Sequence, residues 1–306
     1  MTVLVTGANG DQGGHTARRL LERGHPVCAL VTDPGKPSAR TLAEAGAQVM
    51  AGDLADPDDV RRAVHGADAV FAVPVGGPDE AEKARIGRLL IEAARENGVR
   101  HFVQSSVAAL PAHLGFGDPG TGYSFEPYAR ARLEIEETVR AAGFRHWTIL
   151  QPVAFMENFA GTKARHMYPG MTSGRLDSTR PSDARVQHIA ARDIAAFAVA
   201  AVDDSERFTR HSIQLASQAL SMGEIAAVLS EETGRPYTHR SLTLAEATDA
   251  GIAAGVVHSQ LWDSRIGYHA PLADDLEKQW GIRPLTFRDW ARANRHLLSS
   301  GQGQCS

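Results

Sequence analysis

A short apolar run near the start of the chain leads into glycines at regular spacing: Val3-Leu4-Val5-Thr6-Gly7-Ala8-Asn9-Gly10-Asp11-Gln12-Gly13-Gly14. Placed between a strand and a helix, each glycine of the triplet has a separate use. Gly7 permits a tight turn, Gly10 lets a pyrophosphate reach the backbone, and Gly13 allows the helix to pack close on the strand. The helix N-terminus behind them offers unpaired N–H groups and a partial positive charge to phosphates. Asn9, Asp11 and Gln12 are interleaved with the glycines and belong to the same candidate dinucleotide site. Asp33 lies 20 residues past Gly13, at the end of the second apolar run. At that spacing a carboxylate takes the ribose 2′-OH of NAD and repels the 2′-phosphate of NADP. The same residue, standing before Pro34, also reads as a turn former. Its neighbours Thr32 and Lys36 complete this end of the site, and Lys36 offers a cation to a phosphate. The expected cofactor is NAD(P)H, with NAD favoured over NADP.

Such a turn works only if regular elements hold it. Apolar runs at 2–6, 27–32, 47–52, 68–74, 101–106 and 147–152 have the length of buried strands. Helical patterns at 12–23, 38–45, 57–65, 79–97 and 127–142 alternate with them. Alternation of this kind, with strands apolar throughout, predicts a doubly wound α/β domain whose parallel Rossmann-type sheet is covered on both faces. Residues 155–185, with Pro169, Gly170, Gly174 and Pro181, read as a loop-rich excursion. Beyond them a helix is expected at Asp193–Val202, a strand at Ser212–Ala216 and a helix at Ser221–Thr233. In the last, Ser221 and Glu224 have capping-box spacing. The chain to 300 reads as helices, and Ser299–Ser306 as a frayed tail. The expected division is a NAD(P)-binding domain over 1–154 and a small C-terminal α/β substrate lobe over 155–306. Residues of about 186–216 in the latter return to the first sheet.

Composition closes off other classes. The chain has 306 residues, 43% apolar and 22% charged, with a formal net charge of −4. That balance does not suggest a nucleic-acid-binding surface. No apolar stretch has the roughly 18 residues of a spanning helix. The strand-like Val3-Leu4-Val5 leaves no room for a signal peptide, and Cys28 and Cys305 are the only cysteines. A cytoplasmic protein without membrane, nucleic-acid or metal partners is expected. Its partner is a small molecule, with a homodimer as the assembly considered.

These motifs resemble the NmrA-like family of atypical short-chain dehydrogenase/reductases. Gly7 to Gly13 is similar to that family's glycine motif, although Asn9 stands where Thr is usual. Ala51-Gly52-Asp53-Leu54 is similar to its Gly-Asp after the third strand. Gln151-Pro152-Val153-Ala154-Phe155-Met156-Glu157-Asn158-Phe159 is similar to its second motif, and Gly223-Glu224-Ile225-Ala226 and Thr286-Phe287-Arg288-Asp289-Trp290 fit its C-terminal pattern. The resemblance implies that Asp53 and Leu54 meet the adenine. Pro74, Val75, Pro152, Phe155 and Asn158 join the cofactor site, the last two at the nicotinamide end. The family includes NAD(P)H-dependent quinone and enone reductases, tailoring enzymes of aromatic natural products, and redox-sensing regulators that bind dinucleotide without turnover. The expected function is reduction of a flat quinone-like or aromatic carbonyl substrate. A sensor and an oxygenase of polycyclic aromatics are the alternatives.

Short-chain reductases use a Ser after the fifth strand and a Tyr-x-x-x-Lys helix, in which the Tyr protonates the developing alkoxide. Here Ser106 follows the fifth run, and Tyr128-Ala129-Arg130-Ala131-Arg132 gives Tyr-x-x-x-Arg. Tyr128 and Arg132 stand one helical turn apart and can face one ligand. Arg132 can hold a ribose but cannot relay a proton near neutral pH. Only four of the 32 Lys and Arg residues are lysine, so composition alone accounts for the exchange. Tyr128 and Arg132 also read as a capping aromatic and a solvated cation. Met156 and Phe159, taken as substrate contacts with Trp262 and Tyr268, read equally as core, and for Trp262 and Tyr268 packing is the commoner use. His101 and His188 read as structural.

Overall fold

The computed structural model describes residues 1–74, 77 and 79–299; Val75 and Ser300–Ser306, Cys305 included, lie outside the described residues. Two compact units share the chain. The first comprises Met1–Val107, Pro127–Pro152 and Ala191–Gln214, and the second Ala108–Glu126, Val153–Ala190 and Leu215–Ser306. Against the expected boundary at 154, residues 108–126 therefore group with the second unit, and the returning segment is 191–214.

In the first unit strands β1 (Val3–Val5), β2 (Val27–Val31), β3 (Gln48–Ala51), β4 (Ala69–Ala72), β5 (His101–Ser105) and β6 (His146–Pro152) pair in parallel. A seventh strand, His211–Leu215, flanks β6, giving the order 7-6-5-4-1-2-3. β1, β2, β4 and β5 are buried along their whole length, which explains the unbroken apolar runs of the first three; β5 buries His101, Gln104 and Ser105 as well. Helices α1 (Asp11–Glu22), α2 (Pro37–Glu44), α3 (Pro57–Val64) and α4 (Glu80–Glu96) lie between them, as the periodicity predicts. Asp56 caps α3 by accepting from the amides of Asp58 and Asp59, and Asp79 caps α4 through Glu82. Leu4, Val70, Phe102 and Ile149 meet Val60, Ile91 and Ile135 in the core on one face. The chain builds outward from β1 through β2 and β3, then restarts at β4 on the other side of β1. Ligands of open α/β sheets bind at such a switch point, outside the carboxyl ends of the strands. The glycine turn leaves β1 at that place.

The second unit holds a three-stranded sheet in the order Gln218–Ser221, Arg185–Ile189, Ala154–Phe155, and a parallel pair, Arg175–Ser178 with Thr238–Ser241. The expected capping box of Met222–Thr233 is formed: Ser221 Oγ accepts from the Glu224 amide and Glu224 from the Ser221 amide. The segment expected as loop contains 3-10 turns at Met156–Phe159 and Pro169–Ser173 and a helix at Gly161–Met167. These short pieces escape a periodicity test because none completes three turns. Met156, Phe159, Tyr168, Leu176, Met222, Ile225, Phe287 and Trp290 form this unit's core.

Candidate functional site

The glycine turn is built from backbone. Gly7 takes φ +61°, and its carbonyl accepts from the Gly10 amide at 2.9 Å. Gly10 caps α1 in extended conformation and brings no capping side chain of its own to the first turn, the place where an anion can bind. A Cβ on Gly13 would stand 2.4 Å from the Gly7 oxygen, so no other residue fits without moving the turn. On Gly10 a Cβ would meet only the Gly7 oxygen, at 3.4 Å, because its other side is open. This open, uncapped cradle fits a pyrophosphate. Asp11 opens the helix, where its carboxylate faces the positive end. The Gln12 Oε1 accepts from Ser105 Oγ at 2.6 Å, tying the start of α1 to the end of β5. Sequence reading missed Ser105 and also Thr6, whose hydroxyl accepts from the Val73 amide at 2.9 Å and so fixes the β4 exit beside the turn. Both are polar residues at strand ends, the one signal that could have found them.

A cleft of about 300 Å³ continues from the turn, lined by Gly7, Asn9, Leu30, Thr32, Lys36, Gly52, Asp53 and Leu54. A Cβ on Gly52 would fall 2.8 Å from Leu30 Cδ1 and 2.9 Å from Asp59 Oδ2, so those side chains would have to shift to admit one. Asn9 Oδ1 accepts from Ser38 Oγ at 3.1 Å, joining the turn to α2. Asp53 uses Oδ1 to accept from the Ala55 amide at 2.9 Å. Asp33 is exposed, and its Oδ1 accepts from the Gly35 amide at 2.8 Å. That is the turn-forming role weighed against ribose binding, and it is Thr32 and Lys36 that line the cleft. Pro74 borders a small bay with Val73, Lys83 and Gln104. Pro152 is buried at the end of β6.

The candidate catalytic side chains of the first unit are arranged differently. Arg132 is 7% exposed and lays its guanidinium over the Tyr128 ring, 4.5 Å from the centroid. It also donates to Glu80 Oε2 at 3.0 Å, while Glu80 Oε1 accepts from Lys83 Nζ at 2.7 Å. One carboxylate on α4 thus holds two cations, an arrangement invisible to the Tyr-x-x-x-Arg spacing. The Ser106 Oγ is buried and, among the described residues, has no hydrogen-bond partner, so it is not bonded to Tyr128.

In the second unit Met156 and Trp262 are wholly buried and Phe159 is 1% exposed. This corrects the reading of Met156 and Trp262 as substrate contacts, because neither presents a face to a ligand; Phe159 borders a small cavity with Ala164, Met171 and Leu298. The His113 ring stacks on Trp262 at 3.8 Å, and the half-buried Tyr268 meets it edge-on at 4.8 Å. Phe155 and Asn158 are half-buried. His188 is buried against Phe159, and burial, then Arg180, pushes it down to about 3, so it is neutral and structural. His101 is likewise pushed down to about 4 by burial in the first unit. Among the described residues no helix is long and apolar enough to cross a membrane, and no cluster of His, Cys, Asp and Glu could hold a metal.

The cradle, the switch point and the motifs can be set beside known proteins. The model of the NmrA-like family matches residues 1–290. The chain belongs to the NmrA-like family. An NAD(P)H azoreductase of Xenophilus azovorans is 32% identical over 95% of this chain and 97% of its own. The (4-alkanoyl-5-oxo-2,5-dihydrofuran-3-yl)methyl phosphate reductase of Streptomyces griseus is 30% identical over 94% and 96%. Among solved structures, the triphenylmethane reductase of Citrobacter sp. complexed with NADP(H) superposes with a TM-score of 0.76, at 22% identity, over 96% of this chain and all of that one. This last likeness is one of fold.

Proposed function

We propose that this protein is an NAD(P)H-dependent oxidoreductase that reduces a flat, conjugated acceptor such as a quinone, an enone or an azo compound. The observation that carries the reading is the uncapped cradle of Gly7, Gly10 and Gly13 with its open cleft. Family membership and relatives named for azo and oxo-dihydrofuran reduction support it. The nicotinamide, when bound, supplies the hydride. This chain's residues do the rest. First-turn amides of α1 bind the pyrophosphate, and Asp53 and Leu54 border the adenine end. Lys36 offers charge to a 2′-phosphate while Asp33 opposes it, so the two set the choice of dinucleotide. Tyr128 is the proton donor, held by Arg132, and Ser106, whose hydroxyl is buried in this structure, is its proposed companion. In the second unit Phe155, Asn158 and Tyr268 stay as proposed contacts for nicotinamide and substrate.

The test is oxidation of NADH and NADPH against a quinone, an azo dye, a triphenylmethane dye and an unsaturated lactone. Turnover of one class is expected. Tyr128→Phe should lower kcat by about 10²- to 10⁴-fold for an acceptor that must be protonated, with dinucleotide Kd unchanged. Asp33→Ala should move preference toward NADPH and Lys36→Ala toward NADH. Tight dinucleotide binding without turnover of any acceptor would overturn the reductase reading in favour of a sensor.

A further inference from the structure

On the flank of α1, away from its N-terminal cradle, Arg18, Arg19, Arg192, His15 and Glu22 line a groove of about 180 Å³. Arg192 is the second residue of the helix Ala191–Asp203, which packs along α1. At their carboxyl ends the two helices are clasped by Arg23 and His25, both on Asp203, at 3.0 and 2.7 Å. Elsewhere in the molecule arginines meet carboxylates as a rule: Arg61, Arg62, Arg85, Arg88, Arg100 and Arg132 of the first unit are all ion-paired. None of the three guanidiniums of the groove is, among the described residues. Arg18 donates only to His15 Nδ1, at 3.3 Å, which makes His15 an acceptor and therefore neutral. With Glu22 as the one carboxylate of its lining, the groove's own side chains carry 3 − 1 = +2, and Asp11 acts on His15 from the start of α1. Like charges gathered in one groove repel each other and gain by sharing an anion.

We propose that this groove binds a dianionic phosphate group, free or as a monoester, independently of the dinucleotide site. A dianion neutralises the charge counted above. Planar guanidinium forks donate in pairs to phosphate oxygens, which suits a groove lined by three arginines. The arginines approach from two helices, so a ligand here is gripped rather than touched. Arg18 lies back along its own helix, its Nη1 3.5 Å from where a Cβ on Gly14 would stand.

The experiment is calorimetry of the wild-type protein with NADPH saturating, titrated with inorganic phosphate and with glycerol 1-phosphate, against sodium chloride at matched ionic strength. Binding of phosphate but not chloride is expected, and the ratio of phosphate to ester affinity shows which form the groove is shaped for. Arg192→Ala and Arg18→Ala should each weaken binding about tenfold. Arg40→Ala, an exposed arginine on α2, should not. Unchanged melting temperatures and NADPH affinity would show that the variants fold. The proposal fails if chloride reproduces the heat, if Arg192→Ala binds as wild type, or if phosphate binds only when NADPH is left out. In that last outcome the ion has been occupying the pyrophosphate cradle.

Discussion

The cofactor cradle and the Tyr128 cluster lie in the same unit but are built from different material. The cradle is backbone: three glycines, a carbonyl and the amides of one helix end. The Tyr128 cluster is side chain: a ring, a guanidinium over it, and a carboxylate from position 80 holding that guanidinium and Lys83. A backbone device depends on a few adjacent residues and on what they lack. A side-chain device depends on partners scattered along the chain, so its chemistry is decided by pairings that spacing does not reveal.

The sharpest way to break this contrast is at the glycines. Gly13→Ala puts a methyl group 2.4 Å from the Gly7 oxygen and should cost about 3 kcal/mol of stability, because backbone must move to accept it. Dinucleotide affinity should fall at least about a hundredfold. Gly10→Ala, whose methyl group meets only one oxygen at 3.4 Å, should fold normally yet lose affinity, because the methyl group enters the phosphate's approach. Melting temperature and fluorescence titration with NADPH separate the two. Normal binding by both variants would remove the cradle.

At the side-chain device the expected effects are smaller. Glu80→Gln leaves Arg132 with a neutral partner in a largely buried place and should cost about 1–2 kcal/mol. If Glu80 positions Tyr128 through Arg132, kcat falls about fivefold while the dinucleotide KM stays level. Added to Tyr128→Phe, the same change then costs kcat nothing further, the mark of two residues acting through one group. A purely structural Glu80 would move stability alone.

The same contrast governs what could be read in advance. The six parallel strands and the helices that alternate with them show in the sequence: burial on both faces leaves unbroken apolar runs in β1, β2 and β4, and half-burial writes a helical stripe. Gly7, Gly10 and Gly13 are legible because the chemistry needs an absence of side chain. Asp33 was ambiguous because ribose binding and turn formation ask for the same residue at the same place. Met156 and Trp262 misled because a large apolar side chain suits a core and a ligand wall equally, and only burial separates them. Glu80 left no local mark as a partner of Arg132: that pairing spans some 50 residues.

The least effect near neutrality comes from buried histidine, a side-chain property again set by distant packing. In the folded chain His188 is held at about 3 by burial and by Arg180, below its ordinary value of about 6.5. The unfolded chain therefore takes up a proton that the folded chain refuses. Stability is whole above about pH 6.5 and falls as pH drops from there toward 3. His113 and His101, both pushed down to about 4, act in the same sense. Glu232, held down to about 2 by Arg292 and Arg295, adds a loss of its own between about pH 4.3 and 2. Between pH 7 and 5.5 one such histidine should cost about 1 kcal/mol. His188→Gln, which cannot take that proton, should flatten the fall in urea midpoint over the same interval by about that much, even if the variant is less stable at pH 7. An equal fall in both proteins would mean that His188 is solvated in the folded chain, and the closed core of the second unit would have to be redrawn around it.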